Sequence, residues 1–182
     1  MDLIKLGFQD QPYLLVSFLA ATACATIACL LHWRRPSIRM TAAARVVQWL
    51  FIVSLIGFAV VTMTPSNSSG SVRYCSVSPS MPGGAFFSGS PARLLNALIC
   101  IPMGFFALCD SLKRSRRVAI ALLAAPVAEA VQWLMPTLGR SCSATDMVDN
   151  LTGTLTGLAL GAAVASLARS QSVEHLTPER TS

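Results

Sequence analysis

Apolar residues in this chain gather into five long runs, each closed by polar, turn-forming or basic residues. The first, residues 13–32, is long enough to cross a hydrocarbon core of roughly 30 Å at 1.5 Å per residue. Arg34, Arg35 and Arg39 follow it at once. Asp2 and Asp10 offset Lys5 ahead of it, so the positive leader of a signal peptide is missing. Residues 27–31 carry the apolar run past the cleavage-like Ala21-Thr22-Ala23-Cys24, and a retained helix is expected. A second run, 46–63, ends at Thr64-Pro65-Ser66-Asn67, residues that prefer turns. From there to Pro91 the chain is rich in Ser, Gly and Pro and reads as a loop with no element of its own.

The third run, 94–109, contains Pro102, which removes a backbone donor and predicts a bend. Lys113, Arg114, Arg116 and Arg117 close it. The fourth, 118–135, contains Pro126, and a tight loop over 136–145 leads to the fifth, 147–168. The pattern predicts an all-α polytopic bundle of about five transmembrane helices. Its expected organisation is an amino-terminal helix with a basic connection over 1–45, a membrane domain over 46–168, and a disordered tail over 169–182.

Composition agrees with a lipid-facing exterior. The chain is 53% hydrophobic, its mean hydropathy is +0.59, and 12% of residues are charged, about half the usual fraction for a soluble domain. The net charge of +6 would suit nucleic acid, but the cations cluster at the ends of apolar runs and no basic face with interleaved aromatics exists. They set topology instead. One side collects Arg34, Arg35, Arg39, Arg45, Lys113, Arg114, Arg116, Arg117, Arg169 and Arg180; the other holds Lys5, Arg73, Arg93 and Arg140. By the positive-inside rule the richer side is cytoplasmic, which puts the amino terminus outside and the carboxyl terminus inside. The expected location is the cell membrane, as a multi-pass protein.

Against this apolar background Glu129 stands out, because a carboxylate in hydrocarbon costs a few kcal/mol unless paired or hydrated. It lies about 9 Å below the outer end of the fourth run, counted at 1.5 Å per residue, and Gln132 shares its face. Arg140 follows in the outer loop, then Asp146, Asp149 and Asn150 on one side of the first turn of the fifth run. Two alternatives stay open: Glu129 as a lock between helices, with the aspartates as a plain amino-terminal cap, or the whole set as a ligand site. Gly153, Gly157 and Gly161 repeat every four residues, a spacing that lets another helix approach closely, and are expected to bring Glu129 within reach of the aspartates. Asn96, near the outer end of the third run, is placed either to hydrogen-bond into the cluster or to make an ordinary interhelical contact.

Cysteine placement adds a constraint. Cys24, Cys29, Cys100 and Cys109 fall in apolar runs, where a thiol behaves as a small hydrophobe. Cys75 and Cys142 fall in the two outward loops, an oxidising compartment, and are expected to pair. Such a bridge would draw the Cys75 loop over the cluster as a lid.

The ordered series Glu129-Ala130-Val131-Gln132, Gly139-Arg140, Asp146-Met147-Val148-Asp149-Asn150, Gly153 and Gly157 resembles the VanZ-like family of small polytopic membrane proteins, named for a teicoplanin-resistance protein. Upstream, Asn96, Ile101-Pro102-Met103-Gly104-Phe105 and Thr64-Pro65 are similar to other stretches of that family, so the likeness covers roughly residues 46–167. The resemblance implies a cell-envelope membrane protein with a role in lowering sensitivity to lipoglycopeptide antibiotics.

Two function classes follow. A binding module would hold a membrane lipid, a lipid-linked cell-wall precursor or a glycopeptide antibiotic, with Gln132, Asp146, Asp149, Asn150 and Asn96 hydrogen-bonding it and Arg140 taking a phosphate or carboxylate. A membrane enzyme on a lipid-linked substrate would use Glu129 as general base, with Asp146 and Asp149 on a divalent cation. No histidine joins the cluster and no metal motif of high specificity is present, so the first is preferred. No cofactor and no nucleic-acid partner is expected. Transport fits less well, because polar groups collect at the outer end rather than along the membrane's depth.

Overall fold

The computed structural model describes residues 13–33, 41–65, 75–78, 91–109 and 114–174, and within them five helices are long and apolar enough to cross a membrane. They are α1 (Tyr13–Trp33), α2 (Ala42–Met63), α3 (Pro91–Leu108), α4 (Arg114–Leu134) and α5 (Ala144–Glu174). The protein is therefore a multi-pass helical membrane protein. Each helix matches one apolar run, with ends displaced by a few residues. Polar residues next to a run can continue a helix into the interface, and α5 shows this best, passing Arg169 to reach Glu174. That corrects the tail expected from 169; residues 175–182, the amino-terminal residues 1–12 and the basic connections at 34–40 and 110–113 lie outside the described residues.

Local chemistry explains several boundaries. Thr41 caps α2 by accepting a hydrogen bond from the Ala44 amide at 3.2 Å. Pro102 and Pro126 both sit inside continuous helices, where a missing backbone donor is tolerated if neighbours satisfy the freed carbonyl. After α4 a single 3₁₀ turn, Pro136–Leu138, is closed by Gly139 in the left-handed region at φ 61°, a conformation glycine adopts without a Cβ penalty.

A short strand corrects the reading of the loop between α2 and α3 as featureless. Strands β1 (Cys75–Ser76) and β2 (Cys142–Ser143) pair in parallel, Cys75 opposite Cys142 and Ser76 opposite Ser143. A disulfide joins the paired cysteines, as expected. Two residues per strand give no amphipathic alternation to detect. The rest of that loop, 66–74 and 79–90, and with it the lid, lies outside the described residues.

The core lies among α2, α3 and α4, where Phe51, Phe58, Cys100, Met103, Ala107, Ala121 and Ala128 are buried together. The closest helix pair is α3 with α5. Added Cβ atoms on Gly153 and Gly157 would run into the carbonyl oxygens of Ala97 and Ile101, and one on Gly104 would strike that of Thr154. The glycine stripe thus seats α5 on α3, which corrects the expectation that it draws Glu129 of α4 toward the aspartates. α3 answers with a small residue of its own, Gly104, facing back into the same contact.

Candidate functional site

The first turn of α5 follows directly on Ser143, whose Oγ accepts the Asp146 amide at 3.2 Å. This serine performs the capping role, so the aspartate side chains are spent elsewhere. Asp149, fully buried, takes two hydrogen bonds from Arg93, Nε to Oδ2 and Nη2 to Oδ1, each 2.8 Å. The pair is a bidentate fork, the strongest geometry available to these two groups. Asn96 donates from Nδ2 to Asp146 Oδ1 at 3.2 Å. One turn further down, the Asn150 side-chain oxygen accepts the buried Cys100 thiol at 3.6 Å, and the Thr154 hydroxyl donates to the Asn150 carbonyl at 3.0 Å.

A second group of contacts ties α4 and its following loop to the same end of the bundle. Glu129 Oε2 accepts the Ser143 amide at 2.6 Å. Gln132 Nε2 donates to the Thr62 carbonyl at 2.9 Å, and Arg140 Nε donates to the Thr64 carbonyl at 2.9 Å. Glu129 and Gln132 are 6% and 5% exposed, so both carboxylate and amide are carried inside the protein rather than in lipid. Gly139 makes the last bond possible: its left-handed backbone turns the chain so that Arg140 comes back over the end of α2. Burial pulls the Arg140 guanidinium below its ordinary pKa, and the nearby carboxylates of Asp146 and Glu129 oppose that shift. Arg140 thus stands between the two groups of contacts and links them electrically.

All seven residues singled out in the sequence, Asn96, Glu129, Gln132, Arg140, Asp146, Asp149 and Asn150, lie in this assembly. They form two linked halves rather than one ring: an α3–α5 half around Asp149 and an α2–α4 half around Glu129, with Ser143 in both. The disulfide Cys75–Cys142 is covalently adjacent to Ser143. Each oxygen of Asp149 accepts one bond from Arg93, so a divalent cation at Asp149 would have to compete with a bidentate ion pair. Among the described residues no group of three His, Cys, Asp or Glu side chains gathers as a metal cage.

Sequence reasoning missed Arg93, Thr62, Thr64 and Ser143 as members. Arg93 counted only as one of four outer cations. A signal existed: Arg93, Asn96 and Cys100 recur at i, i+3 and i+7, one stripe of a helix, and each meets a polar residue of α5. The contributions of Thr62 and Thr64 are backbone carbonyls, which no side-chain pattern reveals.

The model of the VanZ/LLP1 family matches residues 18–165. The chain belongs to the VanZ/LLP1 family. No curated protein and no solved structure matches it. The family match begins inside α1, so this VanZ/LLP1 protein shares with its family the first helix as well as the segment from residue 46 in which the recognisable motifs lie.

Proposed function

We propose that this VanZ/LLP1 protein is a binding module of the cell membrane, holding an envelope ligand at the cluster formed by Glu129, Gln132, Arg140, Asp146, Asp149, Asn150 and Asn96. The observation that supports the reading is Arg140: a half-buried guanidinium that spends one N–H on the Thr64 carbonyl and, among the described residues, makes no second hydrogen bond, which leaves donors for a ligand. A phosphate or carboxylate suits that fork, and Glu129 and Gln132 line the adjacent buried wall with groups already held in place. Ten of the fourteen Lys and Arg residues fall on the opposite side, which supports an outward-facing cluster with the amino terminus outside and the carboxyl terminus in the cytoplasm. A lipid-linked cell-wall precursor or a glycopeptide antibiotic carries such an anionic group at that face, and sequestering either would lower antibiotic sensitivity. The metal-assisted enzyme reading gains no observation, because Asp149 is committed to Arg93.

The deciding experiment is mass spectrometry of molecules that co-purify with wild type, Glu129→Gln and Arg140→Ala. Wild type should carry an anionic envelope lipid that Arg140→Ala loses while remaining folded. An identical lipid profile in all three would refute the site. Fusions after Arg117 and at the carboxyl terminus should report cytoplasm, and fusions at Ser78 and Ser141 the exterior; a cytoplasmic signal at Ser141 would overturn the orientation. Teicoplanin susceptibility with and without the gene product tests the resistance role separately.

A further inference from the structure

A separate cleft lies between α1 and α2, far along the chain from the cluster just described. Its volume is about 620 Å³ and its walls are Ala25, Ala28, Cys29, Leu31, His32, Gln48 and Ile52. That size falls within the roughly 300–1,000 Å³ of small-molecule sites. The walls are mainly apolar along most of their length, but the polar groups are not scattered. His32 lies in the last turn of α1. Gln48 spends its side-chain oxygen on the Trp33 indole N–H at 3.3 Å and keeps its two donors. Arg45 is not one of the cleft's walls; it stands three residues before Gln48, which is, on the same face of α2 and about one turn nearer the start of that helix. Its Nε is buried with no hydrogen-bond partner.

A buried, unpaired guanidinium nitrogen costs free energy, and an anion would remove that cost. The occupant must therefore present an acidic group at a helix end and apolar length toward the middle of the membrane. We propose that the α1–α2 cleft binds one anionic phospholipid, with an acyl chain along Ala25, Ala28 and Ile52 and the phosphate at Arg45, Gln48 and His32. In the orientation proposed above this is the cytoplasmic leaflet, where juxtamembrane cations attract anionic lipid; the binding itself does not depend on that orientation or on the outer cluster.

The test uses the full purified chain in nanodiscs containing equal amounts of phosphatidylglycerol and phosphatidylcholine with identical acyl chains, released and weighed by native mass spectrometry. Wild type should retain one phosphatidylglycerol in preference to phosphatidylcholine by about tenfold, the ratio that one good charge-assisted contact commands. Arg45→Ala should bring the ratio to about one, and Arg45→Lys should keep most of the preference. Ala28→Phe should fill the cleft and remove retention of both lipids, while Leu30→Phe on the exposed side of α1 should change nothing. Circular dichroism and melting confirm that each variant is folded, and should Ala28→Phe fail this check, the Arg45 pair alone decides. Equal retention of the two lipids by wild type, or an undiminished preference in Arg45→Ala, overturns the proposal. So does a wild-type dimer that carries no lipid. Loss of the outer ligand in Arg140→Ala with phosphatidylglycerol still held would sustain this site whatever the fate of the other.

Discussion

The α3–α5 interface and the α1–α2 interface are built on opposite plans. Between α3 and α5 the backbones approach so closely that Gly104, Gly153 and Gly157 have no room for a Cβ, and the stripe beside them carries an ion pair, an amide–carboxylate bond and a thiol–amide contact. Between α1 and α2 the corresponding glycine, Gly57, would bring a Cβ only into ordinary contact with the Phe18 ring at 3.4 Å. Two indole hydrogen bonds do the joining there. Only 6% of the α1 span is buried inside the protein, against 28% for α3 and for α5. Lipid removes most of the hydrophobic drive between helices, so close packing and polar contacts decide which pairs hold. Where both coincide the protein can carry a buried aspartate; where neither is strong, a lipid-sized cleft opens.

The largest effect should come from breaking the α3–α5 pair electrically. Arg93→Ala leaves the buried Asp149 carboxylate uncompensated, and removal of one partner of a buried pair is far more damaging than replacement of both. Most of the folded material should disappear, as read by fluorescence-detected size exclusion, whereas Arg93→Met with Asp149→Leu should recover a large part of it. Equal losses in single and double variants would show that the pair does not hold the interface.

Cys142→Ser comes next. The bond closes a loop of 67 residues, worth about 4 kcal/mol by chain-entropy reckoning, an upper bound because a membrane-anchored unfolded chain is already restricted. Cys142 directly precedes Ser143, which caps α5 and supplies the amide for Glu129, so ligand retention should fall with stability, and Cys75→Ser should match it. Maleimide labelling of both thiols in intact cells without reductant would disprove the bridge. Gly153→Ala should cost about 1–3 kcal/mol, since its Cβ meets the Ala97 backbone rather than a side chain that can swing away. Gly57→Ala, measured in parallel by melting in detergent, should be nearly silent.

How much of this was legible beforehand follows the same division. Spans were readable because length and hydropathy of a run are local properties, and Glu129, Asp146 and Asp149 were readable because charge is rare in such runs. Partners were harder. Asp149 and Arg93 are 56 positions apart, and nothing local says that the glycine stripe faces α3 rather than α4. The bonds of Gln132 and Arg140 end on the carbonyls of Thr62 and Thr64, which any residue would supply. The pairing of Cys75 with Cys142 was accessible by elimination once topology was drawn, but the short strands that align them were not.

The smallest effect concerns the α1–α2 hairpin. Trp49 Nε1 donates to Thr26 Oγ at 2.9 Å, and that hydroxyl in turn donates to the Thr22 carbonyl at 2.7 Å. Trp49→Phe removes the donor and keeps most of the ring, while Thr26 retains its own acceptor on the backbone, so no buried group is stranded. The loss should be about 0.5–1.5 kcal/mol, the net worth of one ordinary hydrogen bond. Membrane accumulation should stay at the wild-type level and only the melting temperature in detergent should move. Because α1 makes its other indole bond through Trp33 to Gln48, Trp49→Phe with Gln48→Leu should together release α1 and raise its protease sensitivity, while any ligand of the proposed cluster at the α3–α5 end is still retained. Loss of outer-site binding in that double variant would mean that α1 supports the cluster across the whole bundle, and the contrast between the two interfaces would fail.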